Sequence, residues 1–255
     1  MLNLPLVYHI RVKARDGIIT SMIFKRKFEV GLDDVDLNYK MTDRAILRYF
    51  EDIAGMHSDS IQNGLEDIGA KNLAWVLIEW TVNIESRPKY TDKISVRTWV
   101  KPSLTRYIYR DFEIRQGSKV CVRATSKWAI INFQEKTIVR ASKELLDTYQ
   151  PEENEAISTY SLGRLHVLEN YSEHKQVPIR KSDIDVNQHV NNLNYLHLIN
   201  ELMDFGELFN HFRIVYKKEV KYGDKITVCR QNTDGVAYFL IKDQDDQTRA
   251  LIECR

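Results

Sequence analysis

The chain has 255 residues, enough for one large domain or two small ones. Hydrophobic residues make up 43% and charged residues 29%, a balance typical of a folded globular protein and unlike that of disordered or fibrous chains. The formal net charge of +1 excludes a global field that would recruit nucleic acid or a membrane surface.

Cysteine usage and the N-terminus bear on where the chain works. The three cysteines are widely spaced and form no C-x-x-C pair, so the sequence predicts neither a disulfide framework nor a zinc site. No stretch approaches the roughly 20 apolar residues that span a bilayer. Residues 1–20 are interpreted as a leader of unknown role, because the apolar start is too short for a signal peptide and its basic residues follow it. Together these features favour a cytoplasmic protein.

Residues 21–150 contain an extended start, a predicted helix and four predicted strands. Apolar residues recur at helical spacing on one face, at Ile46, Tyr49, Phe50, Ile53 and Ala54. Thr42 precedes them and suits a helix N-cap. Aromatic and β-branched residues predict the strands, at Trp75 to Ile84, Ile94 to Val100, Tyr107 to Arg115 and Val120 to Phe133. A turn at 116–119 joins the last two strands into a hairpin.

A polar, acidic stretch separates this first unit from a second one. We take residues 151–175 as a linker, of which 157–175 are predicted to cross a sheet, and residues 176–255 as the second unit. A helical pattern recurs there, at Tyr195, Leu198, Ile199, Leu202 and Met203. Asn191 suits its N-cap. Strand patterns follow at Phe212 to Val220, Lys225 to Arg230, Val236 to Ile241 and Thr248 to Ile252.

The two units repeat each other. The segment Asp36 to Asp43 resembles Asp185 to Asn192 with an offset of 185 − 36 = 149, and the two helical patterns keep this offset. Farther on, Asp92 and Asp224 lie in similar segments with an offset of 224 − 92 = 132. The first unit therefore has 149 − 132 = 17 extra residues between helix and strand, and we expect this insertion around 63–72. Each unit is predicted to be α+β, with a sheet wrapped around one helix, and the two sheets can lie side by side.

The most specific pattern lies in the second unit. The run Asp185-x-Asn187-x-His189-Val190-Asn191-Asn192-x-x-Tyr195, followed by Tyr216-Lys217-Lys218-Glu219, resembles the catalytic region of plant and bacterial acyl-ACP thioesterases, where ACP is acyl carrier protein. Weaker matches occur in the first unit, at Asn72 to Val76, Thr98 to Val100 and Arg123 to Trp128. The resemblance spans about Lys25 to about Val228. It implies two tandem hotdog units, each an antiparallel sheet around a central helix, in an enzyme that releases fatty acids from ACP.

The resemblance places the family's catalytic residues on Asp185, Asn187, His189 and Glu219. Thioester hydrolysis needs a nucleophilic water, a base and donors to the oxyanion. Glu219 is predicted to be the base, which requires partial burial to raise its pKa. His189 is expected to orient the water or to protonate the thiolate, Asp185 to orient His189 or a backbone amide, and Asn187 to hold the water or the carbonyl. The resemblance apart, a solvated strand residue beside Lys217 and Lys218 is the favoured interpretation of Glu219.

Two further predictions concern the same site. The free N–H groups where the second helix starts, near Asn192, are expected to face the oxyanion, unless Asn191 and Asn192 only cap the helix. Many plant members of the family have a cysteine directly after the glutamate. Val220 stands there in this chain, so a cysteine nucleophile is not expected.

The first unit is predicted to be catalytically silent. Lys40 stands at the position of His189, and Arg87 at that of Glu219, since 219 − 132 = 87. This unit is instead expected to shape the acyl pocket. Its candidate pocket residues, which are equally consistent with plain core, are Trp75, Leu77, Ile46 and Phe50.

The remaining predictions concern the binding partner, cofactors and alternative functions of the chain. A basic docking face for the acidic ACP is predicted at Arg180, Lys181, Lys217, Lys218 and Lys221. Such lysines also protect strand edges from aggregation. No cofactor and no metal are expected, because the carboxylates and His189 lack a metalloprotease spacing. Alternative functions are an acyl-CoA thioesterase, a hotdog dehydratase or an acyl-binding module. The chain is expected to be a monomer or a homodimer.

Overall fold

A computed structural model of the protein describes residues 10–14, 17–21, 23–158 and 163–255, the first two ranges by backbone alone. The predicted leader, residues 1–20, therefore lies partly outside the described residues. Within it, β1 (Ile10–Ala14) and β2 (Gly17–Ser21) pair as a separate antiparallel two-stranded sheet. In the described part of the chain, no helix is long and apolar enough to cross a membrane.

The first unit consists of one strand, a long helix and four long strands. Its elements are β3 (Phe24–Glu29), α1 (Asp43–Ser60), α2 (Leu65–Gly69), β4 (Leu73–Ile84), β5 (Lys93–Val100), β6 (Tyr107–Gln116), β7 (Lys119–Asn132), β8 (Thr137–Val139) and α3 (Lys143–Thr148). The predicted helix and four strands are confirmed. The short elements α2, β8 and α3 were not predicted, because none is long enough to show a periodic pattern.

The second unit has the same plan with a shorter helix. Its elements are β9 (Glu173–Pro178), α4 (Asn194–Asn200), β10 (His211–Tyr216), β11 (Lys225–Thr233), β12 (Val236–Lys242) and β13 (Thr248–Cys254). The prediction that β10 runs to Val220 is wrong. The amides of Lys217 and Lys218 both donate to the carbonyl of Arg249, which ends the ladder and leaves Glu219 in a loop.

The two units form one continuous sheet of eleven strands. The order β3-β5-β6-β7-β4 in the first unit is repeated as β9-β11-β12-β13-β10 in the second, and β8 pairs only with β7. The antiparallel pair β4–β10 joins them, with Thr81 opposite Arg213. Because 213 − 81 = 132, the offset found in the sequence, a pseudo-two-fold axis passes between these two residues. The prediction of two sheets side by side is confirmed.

Helix α1 fills the concave side of the first unit's sheet. Thr42 caps it as predicted, its hydroxyl accepting from the amide of Ala45 at 3.2 Å. The predicted apolar face is buried, and Phe50 has its ring centroid 4.9 Å from that of Phe112 and 5.9 Å from that of Trp80. Burial of each such side chain contributes about 1.5–3 kcal/mol.

The segment between the units lies against both of them. The carbonyl of Asn154 accepts from the Trp99 indole at 2.7 Å, and the amide of Ala156 donates to Asp111 at 2.7 Å, which ties the predicted linker to the first unit. Farther on, Leu165 and Tyr171 pack against a small cluster of second-unit strand residues, which are Cys229, Leu240 and Leu251. Strand β9 then begins at Glu173, slightly before the predicted start of the second unit.

Candidate active site

The D-x-N-x-H segment folds into a tight loop held by Asp185. Its Oδ1 accepts from the amides of Asn187 at 2.8 Å and His189 at 3.4 Å, and its own amide donates to the His189 carbonyl at 2.8 Å. Gln188 takes the left-handed conformation, with φ of 64°. Asp185 therefore fixes the backbone of the loop, the second of the two roles considered for it, and does not hold the imidazole.

The first unit contains the same loop. Asp36 Oδ1 accepts from the amides of Asn38 at 2.8 Å and Lys40 at 2.9 Å, and Tyr39 takes the left-handed conformation, with φ of 57°. The sequence repeat is thus also a repeat of loop geometry.

His189 and Glu219 lie next to each other beside this loop. An isolated bridge between His189 and Lys221 brings the two segments together, and His189 Nε2 lies 3.8 Å from Glu219 Oε1. The His189 side chain is 33% exposed and that of Glu219 is 53% exposed. The partial burial expected for Glu219 is thus slight, because the residue sits in a loop and not in the strand predicted for it. Lys221 Nζ lies 3.5 Å from the same carboxylate oxygen.

A cavity of about 740 Å³ lies between the two units, within the size range of small-molecule pockets. The second unit lines it with Asp185, Asn187, Asn191 and Asn192. The first unit contributes an aromatic and aliphatic wall, which consists of Trp75, Leu77, Val100, Ile108 and Trp128. Six of the predicted site residues therefore meet at one cavity, whereas His189 and Glu219 lie beside the same loop and are not among the residues that line it.

Two predicted pocket residues lie elsewhere. Ile46 and Phe50 are fully buried in the core between α1 and the sheet and do not line the cavity, so the structure supports the alternative that they are plain core. The cavity is lined instead by the next face of α1, which carries Glu51, Ala54, Gly55 and Ser58.

Glu51 is a site residue that the sequence analysis missed. Burial, with the charges of Asp52 and Asp185, raises its pKa to about 8. A polar residue beside an apolar stripe usually faces solvent. One sequence signal could have identified this face of the helix. Ala54 and Gly55 lie on it, and such small residues leave space for a ligand beside the helix.

Under α1 the cavity wall also holds a buried cation. Arg110 is 6% exposed, lines the cavity and lies 3.2 Å from His57 Nδ1 through its Nη1. Burial, assisted by the Arg110 charge, lowers the pKa of His57 to about 3, so His57 is neutral. Arg110 also lies over the ring of Tyr149, 5.1 Å from the ring centroid.

In the first unit, Arg87 stands at the position that is pseudo-equivalent to Glu219. Its Nη1 donates to the carbonyl of Met41 at 2.8 Å, and its Nη2 donates to Asp43 Oδ1 at 2.6 Å and to the carbonyl of Phe209. A guanidinium committed to three acceptors has no capacity to act as a base. This arrangement supports the prediction that the first unit is catalytically silent.

The expected backbone donors at the second helix are already used. Helix α4 begins at Asn194, later than predicted. The amide of Leu193 donates to Asn191 Oδ1 at 2.9 Å, and the amides of Asn194 and Tyr195 donate to the carbonyls of Asn191 and Asn192. For these three amides the structure favours the alternative that Asn191 and Asn192 cap the helix.

The predicted docking residues differ in their surroundings. Arg180 donates to Asp183 at 2.9 Å and helps to hold the turn before the loop. Lys181, Lys217, Lys218 and Lys221 are exposed.

Two features bear on nucleophile and metal chemistry at the site. Val220 is fully buried, and all three cysteines are buried and free. Among the described residues, no group of three or more His, Cys, Asp or Glu side chains is arranged to hold a metal ion.

Two antiparallel units, each wrapped around a helix and joined edge to edge in one sheet, make this a tandem hotdog protein. The acyl-ACP thioesterase N-terminal domain matches residues 21–149, and the acyl-ACP thioesterase C-terminal domain matches residues 167–254. The chain therefore belongs to the acyl-ACP thioesterase family.

Similar proteins include plant enzymes and solved structures. The oleoyl-acyl carrier protein thioesterase of Coriandrum sativum is 26% identical over 241 residues, which cover 84% of this chain and 64% of that protein. Oleoyl-acyl carrier protein thioesterase 2 of Arabidopsis thaliana is 25% identical over 79% of this chain, and the match covers 60% of its own length. The chain thus spans less than two thirds of these two relatives.

Two solved structures share the fold over nearly their whole length. An acyl-ACP thioesterase of Bacteroides thetaiotaomicron superposes with a TM-score of 0.81 at 22% identity, covering 91% of this chain and 96% of that one. The 12:0-ACP thioesterase of Umbellularia californica gives a TM-score of 0.81 at 20% identity, with the same coverage.

Proposed function

We propose that this protein hydrolyses the thioester that joins a fatty acyl chain to ACP. One observation carries the proposal. The Asp185 loop presents Asn187 to the cavity between the units and places His189 3.8 Å from the carboxylate of Glu219. Family membership and the plant relatives' printed names point to the same substrate class.

In this proposal one water molecule is hydrogen-bonded to both His189 and Glu219. A separation of 3.8 Å is too long for a direct hydrogen bond but allows both groups to contact one water. Glu219 takes a proton from the water, and the water oxygen attacks the thioester carbonyl carbon. The carbon–sulfur bond then breaks, the thiolate takes up the proton through His189, and the products are a free fatty acid and the thiol of the carrier.

The two units have different tasks in this reaction. The loop of the second unit supplies the acid–base groups, and the Asn187 amide is placed to hold the water or the carbonyl. The first unit binds the acyl chain between Trp75, Leu77 and Ile108. Each methylene transferred from water to such a wall contributes about 0.8 kcal/mol.

A basic surface beside the site favours an acidic carrier protein. Lys217, Lys218 and Lys221 are exposed in the loop that carries Glu219. Complementary charge mainly accelerates association and orients the partner. The same site has room for the thioester of acyl-CoA. The choice of carrier is therefore tested by comparing hydrolysis of acyl-ACP with hydrolysis of acyl-CoA.

The experiment is thiol release from matched acyl-ACP and acyl-CoA substrates over a range of chain lengths. His189→Ala is expected to lower kcat by about 10²–10⁴-fold, the usual contribution of a general acid or base. Lys40→Ala is the matched control, since Lys40 occupies the same position in the silent loop and should retain full activity.

Three outcomes are informative. Faster release from acyl-ACP, lost in His189→Ala alone, supports the proposal. A preference for acyl-CoA would change the proposed carrier from ACP to CoA. No thiol release at any chain length would overturn the proposal in favour of a dehydratase or a binding module.

A further inference from the structure

Glu51 belongs to the first unit but lies at the catalytic loop of the second. It lines the cavity together with Asp185, Asn187 and Asn192. Its Oε1 is buried and has no hydrogen-bond partner within the described ranges. An unpaired buried carboxyl oxygen costs stability, and its position at the cavity allows a ligand to supply the missing partner.

The shape of α1 explains how the carboxyl reaches the cavity. Phe50 and Ile53 direct their side chains into the core and so fix the rotation of the helix. Glu51 then lies on the adjoining face with Ala54 and Gly55, whose small side chains leave space in front of it. The pseudo-equivalent position in α4 is Asn200, since 200 − 51 = 149, and it lines a separate pocket of about 450 Å³.

Charged and titratable groups surround Glu51 from three directions. Asp52 and Arg44 belong to its own helix, Asp185 to the loop and Tyr216 to strand β10. Burial raises the pKa of Glu51 most, the negative charges of Asp52 and Asp185 raise it further, and Arg44 opposes them, with a result of about 8. At neutral pH the carboxyl is therefore mainly protonated.

A protonated carboxyl differs in kind from the other acids of the site. It carries an O–H donor, whereas an ionised carboxylate can only accept. Asp185 is committed as an acceptor for two backbone amides. The amides of Leu193, Asn194 and Tyr195 at the start of α4 are occupied, so a neutral Glu51 adds an O–H donor to the one that the Asn187 amide offers the carbonyl.

From this placement we propose that Glu51 is a catalytic residue whose neutral carboxyl donates a hydrogen bond to the thioester carbonyl oxygen as negative charge develops there. The inference rests on the proposed thioester hydrolysis. No proton is transferred in this role, and the O–H bond of Glu51 remains intact through the attack of water. A carboxylic acid kept neutral by its surroundings is a known form of oxyanion donor.

The proposal predicts an alkaline loss of activity. As the pH rises through about 8, Glu51 ionises, the donor disappears and a negative charge is placed beside Asp185 and the oxyanion. Glu51→Gln keeps a neutral donor of the same size that does not titrate. We therefore expect this variant to retain activity at high pH, with kcat/KM at pH 7 within about tenfold of wild type. Glu51→Ala should lose about 10²–10³-fold relative to wild type at pH 7, as expected for removal of one oxyanion donor, and this difference should shrink as the pH rises through about 8.

The experiment is the pH profile of kcat/KM for acyl-ACP with wild type, Glu51→Gln, Glu51→Ala and the control Asn200→Ala. Asn200→Ala should follow the wild-type profile. Circular dichroism and thermal unfolding of each variant separate loss of a donor from loss of the fold. Infrared difference spectra supply a readout without turnover, since the neutral carboxyl band that titrates near pH 8 should be absent from Glu51→Gln.

Several results would overturn the inference while leaving the proposed function intact. One is an alkaline loss of activity in Glu51→Gln that is unchanged from wild type. Another is equal inactivity of the Gln and Ala variants, which indicates proton transfer by Glu51. The third is wild-type activity in Glu51→Ala. Wild-type protein that releases no thiol at any pH would instead refute the proposed function, and this inference with it.

Discussion

Replacing Arg87 by alanine tests whether this residue stabilises the junction between the two units. The Arg87 side chain is 6% exposed and that of its partner Asp43 is 14% exposed. The guanidinium also donates to the carbonyls of Met41 in the first unit and Phe209 in the second. The substitution therefore leaves one buried carboxylate and two carbonyl oxygens without their donor.

The expected loss follows from the burial of this pair. Removing one member of a buried ion pair typically costs about 3–5 kcal/mol, because the remaining charge is desolvated and uncompensated. Burial raises the pKa of Asp43 and Arg87 opposes that increase, so the pKa should rise further in the variant. Because a carboxyl with a raised pKa is stabilised in its neutral form, the loss should shrink as the pH falls through that pKa.

The assay is urea unfolding of Arg87→Ala, Asp43→Ala and the double variant, at neutral and acidic pH. A double-mutant cycle isolates the coupling between the two side chains. We expect the double variant to be less destabilised than the sum of the single variants. A free energy of unfolding lowered by less than about 1 kcal/mol in Arg87→Ala, the value of a surface pair, would refute the reasoning.

Two predictions concern substrate binding. Leu77→Trp reduces the cavity volume at the aliphatic wall and should shift the preference measured by kcat/KM toward shorter acyl chains. Phe50→Leu, a core substitution outside the cavity, should lower the free energy of unfolding by about 1 kcal/mol without that shift. The double substitution Lys217→Ala, Lys218→Ala should raise KM for acyl-ACP several-fold at low salt and little at high salt. An uncharged acyl-N-acetylcysteamine substrate should be unaffected, and an equal change for both substrates would refute the docking assignment.

The fold could be predicted because the repeat provides long-range information that single segments lack. The offsets of 149 and 132 place corresponding helices and strands in order, and the second offset recurs as the Thr81–Arg213 pairing at the junction of the sheets. Strand patterns were also reliable, since alternation and β-branched content persist over long segments.

The predictions that failed depend on contacts between segments distant in sequence. Nothing local shows that the Arg249 carbonyl ends β10 and leaves Glu219 half-exposed. The periodicity of α1 identifies a buried face but not the adjoining one, which faces a cavity only because the second unit closes over it. Glu51 was therefore indistinguishable from a solvated residue until the units were placed together.

The junction between β4 and β10 joins two units of one polypeptide, which affects how the sequences of the units can diverge. In a symmetric pair of identical chains, any substitution occurs twice, so an arginine in place of the glutamate in one unit would also replace the glutamate in the other. Here the two positions are separate residues of one polypeptide, Arg87 and Glu219, and each can vary alone. Covalent fusion thus allows one unit to keep His189 and Glu219 beside its loop while the other carries Lys40 and Arg87 at those positions and a longer helix.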